Sequence, residues 1–174
     1  DNGLACVEAV HLARPDARLI LDGNEGIAAK DLPAITAAAV DLGVVLIEQP
    51  LPADQDEALA RRPGPIAICA DESAHGLEGM KRLVGLYDFI NVKLDKTGGL
   101  TEALSVMRCA KARKLRVMVG CMVGSSLAMA PATLVAQGAA ITDLDGPLLL
   151  AEDRLNPLIY EAQGVHPPSP ELWG

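Results

Sequence analysis

Short runs rich in Val, Ile and Leu alternate with helix-like stretches from one end of the 174-residue chain to the other. The strand-like runs fall at 18–21, 44–47, 66–70, 88–92, 116–119 and 140–144, and they are continuous rather than alternating in polarity. That texture belongs to parallel strands whose two faces are both covered by helices. Strict strand–helix alternation then calls for right-handed crossovers and a parallel sheet. Two architectures satisfy it, an open doubly wound sheet or part of an eight-stranded α/β barrel.

The intervening helices carry legible punctuation. Asp31 is placed to cap a helix through Leu42 that stops at Gly43. Asp54 and Glu57 have the spacing of a capping box for a run ending at Arg62, before Pro63. Gly98-Gly99 precedes a helix over 101–114, with Leu100, Leu104, Met107 and Lys111 along one side. A further helix is expected over 4–13, and another over 126–137 that Pro131 should bend or delay. From Ala151 the chain changes character, with prolines at 157, 167, 168 and 170 and no periodicity. Residues 1–150 therefore read as the α/β body, and 151–174 as a tail leaving the core.

Composition narrows the function classes. Asp+Glu 23 against Lys+Arg 15 gives a formal net charge of -8, and nucleic acid or an anionic membrane would reward the opposite sign. With Trp 1, Tyr 2 and Phe 1, there is little aromatic surface on which bases could stack. No apolar run approaches the ~20 residues of a membrane span. Cys6, Cys69, Cys109 and Cys121 form no CxxC pair, and no signal-peptide pattern opens the chain. The expected setting is the cytoplasm, and the expected partner is a small molecule.

The strand ends carry the chemistry. The first run stops at Asp22, the second at Glu48 and the third at Asp71, with Glu72 beside it. One βα unit separates each from the next, so three successive parallel strands place carboxylates at the C-terminal rim where such folds build their sites. Any one of these acids is most simply a helix cap or an arginine partner. Three in consecutive register repel one another unless a cation sits between them, and an all-oxygen set suits Mg²⁺, with Mn²⁺ as a substitute. Lys93 lies a further βα unit along, at the end of the fourth run. Beside a divalent ion its ammonium form is disfavoured, and it can act as a base. A structural salt bridge to Glu72 is the plainer alternative. Lys96 is past the strand and expected to be solvated or paired.

The set 21-LDGNEG-26, 47-IEQPL-51, 70-ADES-73, 91-NVKLDKTGG-99 and 118-MVGCMVGSS-126 resembles the enolase superfamily, in its muconate-lactonizing-enzyme subgroup. The resemblance implies a partial TIM-type (β/α)7β barrel in which strands three to eight are present. It implies that Asp22, Glu48 and Asp71 hold one Mg²⁺, that Lys93 is a general acid/base, and that Asn24 and Glu72 support them. The implied reaction removes a proton alpha to a carboxylate and returns one from the opposite face.

In 141-ITDLDGPLLL-150, strand geometry would point Asp143 and Asp145 the same way. The pair resembles the Asp-x-Asp element of dipeptide epimerases, which holds the dipeptide's ammonium group; a polar turn is the alternative, since Asp-Gly-Pro is turn chemistry. In 120-GCMVGSS-126, Cys121 reads as a small pocket wall, and Ser125 or Ser126 as a hydrogen-bond donor to a carboxylate. His75 reads as a surface loop residue.

Relatives in the subgroup carry a capping domain and two earlier barrel strands, the second with a Lys-x-Lys motif. That motif occurs nowhere in this sequence. The expectation is a C-terminal part of an Mg²⁺-dependent dipeptide epimerase, inactive alone and self-associating through an open edge at its first strand, with the tail returning to the capping domain. The alternatives are a cycloisomerase, an N-acylamino-acid racemase or o-succinylbenzoate synthase of the same subgroup, and a non-catalytic remnant.

Overall fold

A computed structural model of the protein describes residues 3–61 and 63–173. Its main sheet has six strands: β1 (Leu19–Asp22), β2 (Val44–Glu48), β3 (Ala67–Ala70), β4 (Phe89–Val92), β5 (Arg116–Val119) and β6 (Ile141–Thr142). Their order in the sheet is their order in the chain, and the β1–β2, β2–β3, β3–β4 and β5–β6 pairings are parallel. A doubly wound sheet requires a reversal of strand order, whereas an α/β barrel does not. The sequential order therefore belongs to the barrel class.

The chain condenses into two compact units, one formed by residues up to Ala74 with Gly79–Ile90, the other by His75–Glu78 with residues from Asn91 onward. In the first unit, helices α1 (Gly3–Ala13) and α2 (Leu32–Asp41) contact each other. Ala39, Val44, Ile47 and Ile66 form a buried cluster there, against which Val7, Leu19 and Leu21 pack. A four-residue helix, α3 (Met80–Leu83), buries Met80 and Leu83 and was not expected from the sequence.

Two capping expectations fail for physical reasons. Asp31 does occupy the N-cap position of α2, but its backbone is helical and its side chain makes no capping bond. A capping side chain needs an extended backbone to reach the N2 or N3 donor, and Pro33 removes the N2 donor altogether. The run after β2 is a 3-10 helix, Ala53–Ala60, whose N-cap is Pro52. Asp54 is thus inside the helix rather than capping it, and the Ala53 amide donates to Glu25 Oε1 at 2.8 Å instead. Arg62, the expected end of this run, lies outside the described residues.

The second unit contains α4 (Leu94–Thr97), α5 (Leu100–Ala112) and α6 (Ser126–Ala136), with α5 and α6 in contact with each other and with β5. Pro131 sits inside α6, which nevertheless begins at Ser126 without delay. The residues after Ala151 do not leave this unit. They form an antiparallel hairpin, β7 (Tyr160–Glu161) with β8 (Gly164–Val165), and a helix, α7 (Pro170–Trp173), that contacts α6. Leu158 and Leu172 are buried. Elements of two to four residues are too short to show a period, so the sequence concealed them.

Candidate active site

The strand ends of the first unit sit in register. Asp22 is the Cα partner of Glu48, and Glu48 of Cys69, two residues before Asp71. Strand β3 ends at Ala70, so Asp71 stands one residue past the strand, where the chain bends. Glu48 and Asp71 are 4% and 6% exposed, whereas Asp22 is open to solvent. Asn24, the expected supporting residue, is also exposed; its amide donates to Asp22 Oδ1 at 3.0 Å, which fixes that carboxylate in a local turn.

Beyond the sheet, the loops after β1 and β2 remain zipped together. Gly23 N donates to Glu48 O at 2.8 Å, Glu25 N to Gln49 O at 2.9 Å, and Ile27 N to Pro50 O at 2.9 Å. A Cβ on residue 23 would stand 2.7 Å from Pro50 Cα and 2.9 Å from Gln49 O, so only glycine permits this approach. The pieces DGNEG and EQP therefore form one structure.

Sequence reasoning missed the residue that joins β2 to β3. Gln49 is fully buried, with φ +26°, and its Oε1 accepts the amides of Asp71 at 2.9 Å and Ser73 at 3.1 Å. Its Nε2 lies 2.9 Å from Leu51 O, 2.9 Å from Ser73 Oγ and 3.0 Å from Tyr87 Oη. Both hydroxyls donate to Asp56 Oδ1, at 2.8 Å from Ser73 and 2.6 Å from Tyr87. Burial, and then the bond to Asp56, push the Tyr87 phenol far up, so it stays protonated. The only available signal was a glutamine directly after the buried run, which would need amide partners.

Glu72 is half-buried, and burial raises its pKa, with further increments from Asp71, Asp22 and Glu25. Its Oε2 is buried without a hydrogen-bond partner among the described residues. These acids therefore share one electrostatic neighbourhood, and one buried oxygen in it is unsatisfied. The donors are all hard carboxylate oxygens, the chemistry that suits Mg²⁺. Among the described residues, however, no group of three or more His, Cys, Asp or Glu side chains is spaced to enclose an ion.

In the second unit, Lys93 is half-buried at the end of β4, in extended conformation before α4. Lys96 donates to Asn91 O at 3.1 Å and is thus paired back onto the strand. A Cβ on Gly120 would meet the Asn91 side-chain amide at 2.6 Å, so Gly120 leaves room for that group. Cys121 is half-buried; burial raises its thiol pKa, Asp143 and Asp145 add to the rise, and Lys93 opposes it. A protonated thiol fits a pocket wall rather than a nucleophile. The same interactions put Lys93, Asp143 and Asp145 within electrostatic reach of one side chain.

The extended geometry expected through Asp145 does not hold. Strand β6 ends at Thr142, one more ladder bond runs from Asp143 N to Val119 O at 2.8 Å, and Asp145 adopts helical angles at the N-cap of a 3-10 turn, Gly146–Leu149. Exposure still alternates, with Asp143 and Asp145 exposed around buried Leu144. Both aspartates line a cavity of about 760 Å³, together with Tyr160 and His166 of the tail. Ser125 stands at the N-cap of α6 without a capping side-chain bond. Ser126 does bond a carboxylate, but an internal one: its hydroxyl donates to Asp153 Oδ2, its amide to Asp153 Oδ1 at 3.0 Å, and its oxygen accepts from Leu158 N at 2.9 Å. His75 is exposed, as expected of a loop residue.

The profile of the enolase C-terminal domain-like family matches residues 1–165. N-acetyl-D-glutamate racemase of Pseudoalteromonas sp is 47% identical over 171 residues, which cover 98% of this chain and 54% of that protein. L-Ala-D/L-Glu epimerase of Escherichia coli (strain K12) is 47% identical over 145 residues, covering 83% of this chain and 45% of that protein. The chain thus spans about half the length of the curated relatives it matches. A crystal structure of an enolase family member from Agrobacterium tumefaciens with homology to dipeptide epimerases, with bound sodium and L-Ala-L-Glu, superposes with a TM-score of 0.96 at 54% identity. It matches 100% of this chain and 53% of that one. Among the described residues no helix is long and apolar enough to cross a membrane.

Proposed function

This chain belongs to the enolase C-terminal domain-like family, and on that premise we propose that it forms part of an Mg²⁺-dependent dipeptide epimerase. Its relatives include epimerases and racemases, so the isomerase class rests on the family. The dipeptide substrate rests on one observation: two exposed aspartates, Asp143 and Asp145, flank buried Leu144 within electrostatic reach of the Cys121 wall that Lys93 also influences. Two anions beside a base suit a substrate whose ammonium group must be held while its carbon is deprotonated.

In this reading Asp22, Glu48 and Asp71 would hold one Mg²⁺, or Mn²⁺ in its place. Support comes from the burial of Glu48 and Asp71 and from the raised pKa of Glu72, which burial causes first and the charges of Asp71, Asp22 and Glu25 increase. The bound ion would offset negative charge developing on the substrate carboxylate. Glu72 and Asn24 hold the ligand loops. Neutral Lys93 removes the α-proton and, as ammonium, returns one to the same face. Asp143 and Asp145 take the ammonium group, Cys121 walls the pocket, and Ser125, whose hydroxyl caps nothing, faces the substrate. Inversion needs a second base on the other face, and none of the 174 residues forms the Lys-x-Lys motif. The chain alone is therefore read as inactive in epimerisation. Free Cys6, Cys109 and Cys121 support a cytoplasmic setting.

The Pseudoalteromonas relative favours a second reading, racemisation of an N-acylated amino acid, whose substrate has no ammonium group. Incubation in D₂O with Mg²⁺ separates the two, using the chain joined to an upstream segment that carries a Lys-x-Lys strand. The dipeptide reading expects deuterium at the α-carbon of L-Ala-L-Glu, lost in Lys93→Ala and reduced at least tenfold in Asp143→Asn/Asp145→Asn. Deuteration of N-acetylglutamate alone, indifferent to the aspartate changes, would favour the racemase.

A further inference from the structure

We propose, building on the ligand roles given to Glu48 and Asp71, that Gln49 is a positioning residue that locks the tips of β2 and β3 together. Sheet pairing between these strands reaches only Glu48 and Cys69, supplemented by Gln49 N donating to Cys69 O at 2.8 Å. Asp71 lies past that limit. Its amide is held by the Gln49 side chain, as is that of Ser73, so one amide oxygen sets the path of 71–73 relative to β2.

The network also fixes which way the Gln49 amide faces. Asp56 Oδ1 accepts from both Ser73 Oγ and Tyr87 Oη, so each hydroxyl proton is already committed and each hydroxyl oxygen is left to accept. Both therefore require the Nε2 end of Gln49, as does the carbonyl of Leu51. The Oε1 end is left facing two backbone N–H groups. A rotated amide would oppose donors to donors and acceptors to acceptors at every contact. The carboxylate of Asp56, itself 5% exposed, thus imposes a single orientation on Gln49, which imposes a single position on the Asp71 backbone. The strained φ of +26° at Gln49 is held by these contacts.

Gln49→Met keeps the volume and removes the hydrogen bonds, so it is the diagnostic variant. Thr36→Ala, in the buried face of α2, is the control for lost stability alone. In the metal-free chain, amide exchange followed by NMR should quicken at least tenfold at Asp71 and Ser73 in Gln49→Met, while the amide of residue 49 keeps its protection. Calorimetric titration with Mg²⁺ should show the dissociation constant rising at least tenfold in Gln49→Met and unchanged in Thr36→Ala. Unchanged exchange at Asp71 and Ser73, or equal loss of Mg²⁺ affinity in both variants, would overturn the role of Gln49. A parent chain that takes up no Mg²⁺ would instead refute the ligand roles, and the exchange rates would still decide for or against Gln49.

Discussion

Replacing Gly23 with alanine tests whether the loop after β1 is welded to the end of β2. The added Cβ would lie 2.7 Å from Pro50 Cα, 2.9 Å from Gln49 O and 3.2 Å from Glu48 O. Carbon atoms in ordinary contact stand about 3.5 Å apart or more, so the overlap is roughly 0.8 Å. All three neighbours are backbone, and none can rotate away. Overpacking of this kind costs about 1–3 kcal/mol. If the loop retreats to relieve it, the bonds from Gly23 N to Glu48 O and from Glu25 N to Gln49 O stretch, at about 0.5–1.5 kcal/mol each. Alanine returns about 0.4–1 kcal/mol by restricting the unfolded chain. The expected net loss is about 2–4 kcal/mol.

Urea unfolding followed by far-ultraviolet circular dichroism measures it, as a lower midpoint at unchanged slope. Gly124→Ala is the comparison, because its Cβ would meet nothing closer than 3.4 Å, and it should change stability by less than about 0.5 kcal/mol. A Gly23→Ala midpoint indistinguishable from that of Gly124→Ala would show that the close approach is not held in solution, and the joined DGNEG–EQP structure would fall.

Glu72→Gln should stabilise the metal-free chain, by an amount that depends on pH. The folded-state pKa of Glu72 is raised above the ordinary value of 4.5, so the folded chain holds this proton longer than the unfolded one. Stability then falls as pH rises through that window and levels off above it; the melting-temperature gain of Glu72→Gln should grow from pH 4 upward and reach a plateau, and a gain independent of pH would refute the raised pKa that burial and the neighbouring acids impose. Gly120→Ala drives a Cβ into the Asn91 amide and should cost about 1–3 kcal/mol in urea unfolding. Asp153→Ala removes the acceptor at the start of α6 and should cost about 1–2 kcal/mol. Although burial opposes it, bonds from Ser126 and Arg154 hold the Asp153 carboxyl below its ordinary range, so its contribution should persist from neutral pH down and vanish as pH falls through that lowered pKa.

The strand positions were legible because buried parallel strands leave an unambiguous mark, continuous branched apolar residues, and five of the six strands end within a residue of the expected place. Capping was less legible because a cap depends on backbone angles and on competitors that lie far away in sequence. Asp31 has the right side chain on the wrong backbone, and Ala53 found its partner 28 residues upstream in Glu25. Asp145 shows the same limit. The alternation of charge and burial about Leu144 was readable, but the turn imposed by Gly146-Pro147 ended the strand at Thr142 before it could reach that residue. Ser126 was legible as a carboxylate partner, yet the carboxylate proved to be Asp153, which no local pattern marks.

Asp71 stands just past the end of β3, held by neither the ladder nor a helix, and the groups that brace it directly are uncharged. Glu48 and Asp71 are buried, and Asp71 is among the acids that add to the raised Glu72 pKa, so any additional charge used to brace them would change the field that the site depends on. A side-chain amide and a missing Cβ do the bracing without altering that field. Gln49 extends the β2–β3 pairing through its Oε1, and Gly23 extends the β1–β2 pairing by letting two backbones approach. The one charge in the support, Asp56, is directed at hydroxyls on the far side of Gln49. Exchanging Gln49 for glutamate should separate position from charge: Oε1 could still accept the amides of Asp71 and Ser73, while the second oxygen would face the Leu51 carbonyl. The expected result is preserved amide protection at Asp71 together with lower stability in urea. Loss of that protection would mean that the Nε2 contacts, rather than the Oε1 bond, hold the tip of β3.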